Sequence, residues 1–243
     1  MNDEIRVSII TVCKNSKSTI SRTIDSVLRQ TYKNIEYIIV DGMSDDGTVN
    51  IIEDYEKKFD SRLRWISEAD DGIFYAMNKG ISLASGELIG IINSDDWYER
   101  DTVETIVRQY EDIKDEEYII MYGLLKMWDK KGRELYILRR EHERYRITMI
   151  PHPTCFVTKR TYDKFGAFNT KYNYVADYDF VINMNENSQV NFRFIDKVLA
   201  NFTIGGASSG MKWRKELHML RKEHGINILC EYGKEFINKI IRG

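Results

Sequence analysis

The sequence predicts an α/β protein with a Rossmann-like, mostly parallel central sheet flanked by helices and a C-terminal helical segment. Two observations lead there. Short β-branched runs alternate with stretches of helical periodicity from Val7 to Asp96, and acidic residues recur directly after the runs. Strand and helix in strict alternation require crossover connections, which make neighbouring strands parallel and gather their carboxyl ends at one edge.

Val7 to Val12 and Ile35 to Val40 read as the first two strands, with Ile20, Ile24, Val27 and Leu28 at helical spacing between them. A helix follows from about Thr48, carrying Val49, Ile52 and Tyr55 on one face. Leu63 to Ser67 reads as the third strand, the stretch around Tyr75 to Leu83 as a helix, and Leu88 to Ile92 as a short buried strand. The next helix carries Val103, Ile106, Val107 and Tyr110. After it come two extended runs, Tyr118 to Tyr122 and Leu135 to Leu138, joined hairpin-fashion across Asp129-Lys130-Lys131-Gly132. Pro151 and Pro153, the only prolines, flank His152 and predict a rigid extended segment. Asp177 to Met184 looks helical and Val190 to Phe194 extended. Finally Trp213, Leu217, Leu220 and His224 fall near helical spacing among Lys212, Arg214, Lys215, Arg221 and Lys222. Such a basic amphipathic helix either lies on anionic lipid or docks on the domain.

At 243 residues, with 42% hydrophobic content, the chain suits one large core. The net charge of -2 argues against a nucleic-acid partner. Cys13, Cys155 and Cys230 are odd in number and lack metal-ligand spacing, so buried or incidental thiols in a reducing cytoplasm are expected. No run reaches the length of a membrane span.

Chemistry clusters at the strand ends. Asp41 follows the second strand, Glu68, Asp70 and Asp71 the third, and Asn93-Ser94-Asp95-Asp96 the fourth. Gathered carboxylates repel, and a divalent cation carrying phosphates relieves the repulsion through hard oxygen ligands. Asp45 and Asp46, just before a helix, are better read as caps, whereas Asp41 beside Gly42 can accept from a ribose or nucleobase donor.

These residues resemble the family 2 glycosyltransferases. Val7-Ser8-Ile9-Ile10-Thr11-Val12 is similar to that family's first strand, Asp41-Gly42-Met43-Ser44-Asp45-Asp46-Gly47-Thr48 to its nucleoside loop, and Asn93-Ser94-Asp95-Asp96 to its metal-binding Asp-x-Asp motif. The likeness continues through Asp70-Asp71-Gly72-Ile73-Phe74-Tyr75-Ala76-Met77-Asn78-Lys79-Gly80, His152-Pro153-Thr154, Ala176-Asp177-Tyr178-Asp179 and Gly205-Gly206-Ala207-Ser208. Asn93 stands where the family's motif has its first Asp, and Ala176 where a Glu often precedes the base.

The resemblance implies a GT-A nucleotide-diphospho-sugar transferase fold. A catalytic domain over 1–210 would divide into a nucleotide-sugar half (1–98) and an acceptor and base half (99–210), followed by the basic segment 211–243. It implies inverting transfer from a nucleotide diphosphate sugar, a UDP-hexose or UDP-N-acetylhexosamine. The acceptor would be a lipid-linked or oligosaccharide glycan of O-antigen or capsule type, met in the cytoplasm or at the inner face of the plasma membrane. Thr11, Val12, Asp41, Asp71, Asn78, Lys79, Ser94 and Asp95 would bind donor. Asp96, with Asp95, would hold Mn or Mg, and Asp177 would be the general base. His152, Trp97 and Tyr98 are candidates to touch the acceptor, the two aromatics by stacking on a sugar. Asp179, two residues past the base, is read as a helix-start acid or a substrate contact. Gly205-Gly206 suggests a turn near the donor.

Two other classes stay open. A sugar-phosphate nucleotidyltransferase also uses carboxylate-held metal, but no Gly-rich basic loop follows the first strand, and the absent Gly-x-Gly-x-x-Gly fingerprint sets a dehydrogenase aside. A non-catalytic nucleotide-sugar-binding or assembly protein is the other alternative.

Overall fold

A computed structural model describes residues 4–205 and 211–232. Nine strands form one sheet in the order β3-β2-β1-β4-β8-β6-β9-β5, with β7 paired to β6 off that path. The first half follows the alternation in the sequence: β1 (Val7–Cys13), α1 (Ile20–Leu28), β2 (Ile35–Asp41), α2 (Thr48–Glu56), β3 (Leu63–Ser67), α3 (Ile73–Leu83) and β4 (Leu88–Ile91). β1 pairs in parallel with both β2 and β4, and β2 with β3. Every residue of β1, β2 and β4 is buried, which explains why these runs are mostly apolar instead of alternating, with Ser8, Thr11, Glu36 and Asp41 as buried polar exceptions.

Parallel order stops at β4. After β5 (Trp97–Tyr98) and α4 (Thr102–Glu111), the chain forms β6 (Tyr118–Trp128), β7 (Glu134–Leu138), β8 (Phe156–Thr158), α5 (Lys159–Phe165), α6 (Ala176–Asn185) and β9 (Val190–Thr203). β8 is antiparallel to β4 and β6, β7 to β6, and β5 to β9, while β6 and β9 are parallel. The expected parallel dominance therefore holds for the first half only. Strand β9 runs well past the expected Phe194, because Asp196 and Lys197 sit at a register shift that interrupts the apolar pattern.

One face of the sheet buries Ile24, Val27, Ile52, Val103 and Ile106 from α1, α2 and α4. The other buries Phe74, Met77, Tyr162, Phe180 and Val181 from α3, α5 and α6. Gly80 lets α3 approach β1, since a Cβ there would stand 2.5 Å from Ile10 Cγ2.

α7 (Met211–Glu223) docks on this second face. Leu220 and Ile226 are buried in its core, and Leu217 packs against it. Glu216 accepts from the amides of Asn173 at 2.9 Å and Tyr174 at 2.7 Å. The apolar side of the amphipathic helix is thus packed on the domain itself, as in the docked alternative. Residues 233–243, and Gly206, Ala207 and Ser208 of the glycine-rich motif, lie outside the described residues. Gly205 is left-handed, with φ 94, beside Lys130. Among the described residues no helix is long and apolar enough to cross a membrane.

Candidate active site

Two loops at the carboxyl ends of β1 and β2 are stitched together. The Asn15 amide donates to Ser44 Oγ at 2.8 Å, the Ser16 amide to Thr48 Oγ1 at 2.8 Å and the Lys17 amide to Asp46 Oδ2 at 3.0 Å. Asp46 also accepts from the Thr48 amide, the capping expected of it. Asp45 contributes its amide, to Asn15 Oδ1, instead of a cap. Asn15 and Met43 are held left-handed, with φ 51 and φ 62, and Met43 is 66% exposed on the rim. A non-glycine backbone held there stores strain in the loop that faces the crevice.

Asp41 is fully buried and accepts from the Ser44 amide at 2.9 Å, Ser67 Oγ at 2.7 Å, Cys13 Sγ and Ser44 Oγ. Burial raises its pKa, but these donors outweigh it and hold the carboxylate below the ordinary range. Its side chain therefore organises the loop. Of the next acid pair, Asp71 is exposed, while Asp70 turns back over Gly42, where a Cβ would lie 2.8 Å from Asp70 Oδ2. Asp70 is the member that the fold brings to the cradle. Its signal in sequence was indistinguishable from that of its neighbour.

Thr11 and Val12 are buried side chains within β1, Thr11 accepting from Tyr37 Oη at 3.0 Å. The ladder with β4 ends at Ile10 and Ile91, so beyond it the main chain of Thr11 and Val12 is what the crevice meets. Two other donor candidates are occupied. Asn78 spends its amide on the Phe168 main chain, and Lys79 is ion-paired with Glu68. Both contacts have one cause: α3 uses these polar groups to fasten neighbouring segments.

The acid turn is fixed on every side. Ser94 Oγ lies 2.7 Å from Ser16 Oγ, and Thr23 Oγ1 donates to the Asp96 carbonyl at 2.6 Å. The Thr203 amide donates to Asp96 Oδ1 at 3.3 Å, and the Arg22 guanidinium to the Asp95 carbonyl at 2.7 Å. Asp96 is fully buried; desolvation first, then the neighbouring Asp95, pushes its carboxyl well above the usual range, and desolvation also raises Asp95. Asn93 Oδ1 and Asp96 Oδ2 are buried with no hydrogen-bond partner among the described residues. Two orphaned hard oxygens on one turn fit a Mg- or Mn-type cation. Among the described residues no cluster of three or more acidic, His or Cys side chains could complete the shell, so most ligands would come from the donor's phosphates.

Trp97 and Tyr98 do not present themselves for stacking on a sugar. The Arg22 guanidinium covers Trp97 at 3.7 Å from the ring centroid, and Trp128 packs against that ring. Tyr98 is core, packed on Phe156. Arg22 and Thr203 were missed because nothing local separates an exposed helix arginine, or a threonine 107 residues from Asp96, from ordinary surface.

Asp177 lies in the first turn of α6 and accepts from the Tyr178 amide at 2.9 Å. It forms no ion pair among the described residues, and burial lifts its pKa from 3.8 to about 6. Asp179 is buried and paired instead with His224 Nε2 at 2.8 Å, tying α6 to the segment after α7. His152 occupies a 3₁₀ turn, His152–Thr154, where an extended segment was expected, because Pro153 suits the start of a turn. Its ring meets Phe168 edge-on at 5.5 Å, and burial lowers its pKa to about 4, leaving it neutral near pH 7.

A stitched nucleotide-type cradle, a buried acid turn and an unpaired raised carboxyl on the adjoining half define a nucleotide-sugar-dependent transferase of the GT-A architecture. The profile described as glycosyl transferase family 2 matches residues 8–166, and the chain belongs to that family. It is 29% identical over 214 residues to chondroitin synthase of Escherichia coli, an alignment covering 85% of this chain and 30% of that protein. The fold superposes on S. aureus TarS 1-349 in complex with UDP-GlcNAc with a TM-score of 0.66 at 20% identity, covering 85% of this chain and 61% of that one. It also matches the mannosyltransferase PcManGT of Pyrobaculum calidifontis, in complex with GDP-Man and Mn2+. There the TM-score is 0.63 at 20% identity, with 88% of this chain and 61% of that one covered. The chain thus spans under a third of the synthase's length.

Proposed function

We propose that the chain is an inverting glycosyltransferase. It would move a hexose or N-acetylhexosamine from a UDP-sugar to a glycan acceptor, met as a lipid-linked chain at the cytoplasmic face, in bacterial surface-polysaccharide synthesis. The observation that carries this is Asp177, a half-buried carboxyl with a pKa of about 6 and no counter-ion among the described residues. A base that is ionised at neutral pH yet basic enough to accept a proton is what attack by a sugar hydroxyl requires.

In this reading Asp177 takes the acceptor hydroxyl proton as the oxygen bonds to the anomeric carbon. The sugar–phosphate bond breaks on the opposite face and the nucleoside diphosphate leaves with the electron pair. A single displacement inverts the anomeric centre and needs no nucleophile from the protein. The main chain at Thr11 and Val12, with Asp70 over Gly42, would line the nucleoside cradle. Asn93 and Asp96 would hold a divalent cation, which when bound would offset charge on the departing diphosphate. The UDP-GlcNAc complex of TarS and the GDP-Man and Mn2+ complex of PcManGT support that donor class and that ion. Neutral His152 beside Phe168 would offer the acceptor a hydrogen bond without charge.

Calorimetric titration with UDP-, GDP-, CDP- and dTDP-sugars, in Mn or Mg and then in chelator, tests the reading. Metal-dependent binding of a UDP-sugar is the expected result. Absence of binding by every nucleotide sugar would instead favour a protein that kept the fold and lost turnover.

A further inference from the structure

A groove of about 860 Å³ runs between α1 and the segment Trp97–Arg100, and its walls carry Arg22, Arg29, Lys33 and Arg100. All four are exposed. Asp25 is the only carboxylate among the lining residues, and it is already engaged by Tyr55 Oη at 3.0 Å and Arg29 at 3.6 Å. The groove therefore presents a surplus of positive charge on a chain whose net charge is -2. Exposed like charges about 10 Å apart repel by less than about 0.5 kcal/mol in water, so stability does little to forbid the arrangement. A concave wall of one sign concentrates field and attracts an anion.

Its position indicates which anion. The head of the groove is Arg22, whose guanidinium donates to the Asp95 carbonyl at 2.7 Å and to Thr203 Oγ1 at 3.1 Å. The groove thus begins where the acid turn ends. Arg29, two turns further along the helix, stands about 10 Å from it, and Lys33 lies beyond. A chain with one end at the acid turn would lay its next units along these cations. Arg22 and Arg29 are spaced along α1, with Lys33 after it and Arg100 beside Thr31, whose amide donates to the Arg100 carbonyl at 3.1 Å; a spaced set of cations suits repeated carboxylates or phosphates on an extended chain. A flat lipid surface would be met by a convex or planar patch with exposed apolar side chains beside it, and the large hydrophobics that are exposed lie elsewhere.

We propose that this groove binds an acidic stretch of the glycan acceptor, away from the reacting hydroxyl. The proposal rests on the glycosyltransferase reading and names the acceptor as a polyanion. A neutral glycan could accept hydrogen bonds from these side chains but would gain no charge attraction along its path.

The test uses the full chain, with hexagalacturonate and maltohexaose as acidic and neutral probes. UDP serves as a check on the nucleotide cradle, and vesicles with and without phosphatidylglycerol as the alternative anionic surface. The wild type should bind hexagalacturonate with an affinity that falls as salt rises, and should not bind maltohexaose. The double variant Arg29→Glu, Lys33→Glu should bind the acidic probe about ten-fold more weakly or worse, with UDP affinity and melting temperature unchanged. The proposal is overturned if the wild type ignores hexagalacturonate or if the double variant binds it equally. It is also overturned if the variant loses only vesicle binding, which would make the groove a membrane contact. Loss of UDP binding by the wild type with hexagalacturonate binding intact would strike the donor reading and leave the groove standing.

Discussion

Asn78 grips Phe168 with both ends of its amide: Nδ2 donates to the Phe168 carbonyl at 2.8 Å, and the Phe168 amide donates to Oδ1 at 2.9 Å. The clamp fastens α3, on the nucleotide side, to the loop leading into α6, and the Phe168 ring itself packs on Phe74 and Phe180. Asn78→Ala leaves two main-chain groups without partners and should lower stability by about 1–3 kcal/mol. Because the loop delivers Asp177, turnover should fall further than donor affinity. Thermal melts together with a split of kcat from donor Kd decide this; an equal fall in both would make the clamp part of the donor site.

Asp177 makes a prediction with two independent readouts. Asp177→Asn should abolish transfer while leaving donor binding intact, and wild-type kcat should rise as pH passes about 6, where the base ionises. Between 3.8 and about 6 the folded protein binds more protons at this site than the unfolded chain, so stability falls as pH rises through that window. The Asn variant should therefore be more stable than wild type at pH 8, by up to about 3 kcal/mol, and equally stable below pH 4. A variant no more stable at pH 8 would mean that the carboxylate is solvated.

For the acid turn, Asp96→Ala should reduce donor affinity in Mn to the level seen in chelator. Asn93→Asp adds a second carboxylate beside the orphaned Asp96 oxygen and should tighten Mn. Titration of Mn against each protein at fixed UDP reads both effects. Unchanged Mn affinity in the Asp96 variant would place the ion elsewhere.

Glu36 is a carboxylate only 2% exposed, accepting from Ser8 Oγ at 2.7 Å, the Ser85 amide at 2.9 Å and Ser85 Oγ at 3.0 Å, with Arg64 against it. Burial raises its pKa, yet these donors and the Arg64 charge outweigh that and hold it below 4.5. Such a group stabilises above the unfolded value, and the gain is lost as pH falls through its folded one. Glu36→Ala should thus cost about 2–4 kcal/mol at pH 7 and progressively less in acid, as chemical denaturation at several pH values would show.

The first half was legible because its strands are short, mostly apolar and separated by helices with one buried face, so period and length placed each element to within a few residues. Strand β3 matched its expected span of Leu63 to Ser67. The second half was harder: β8 is three residues long, and β9 is interrupted at its register shift. Within the site, strand-end acids can be located by sequence, but which oxygens are already satisfied cannot. Asp41, Asn78 and Lys79 carry suitable chemistry and direct it to Ser67, Phe168 and Glu68, partners brought together only by the fold.

Strand β5 makes the acid turn dependent on distant chain. Trp97 pairs with Asn201 and Tyr98 with Ala200, while Asp96 itself leans on Thr203. During synthesis the nucleotide cradle can form from the first strands as they emerge, since its stitches join the neighbouring loops after β1 and β2. The acid turn has to wait for β9, about a hundred residues later, so the loops after β1 and β2 can close in the growing chain well before the turn opposite them is held in place.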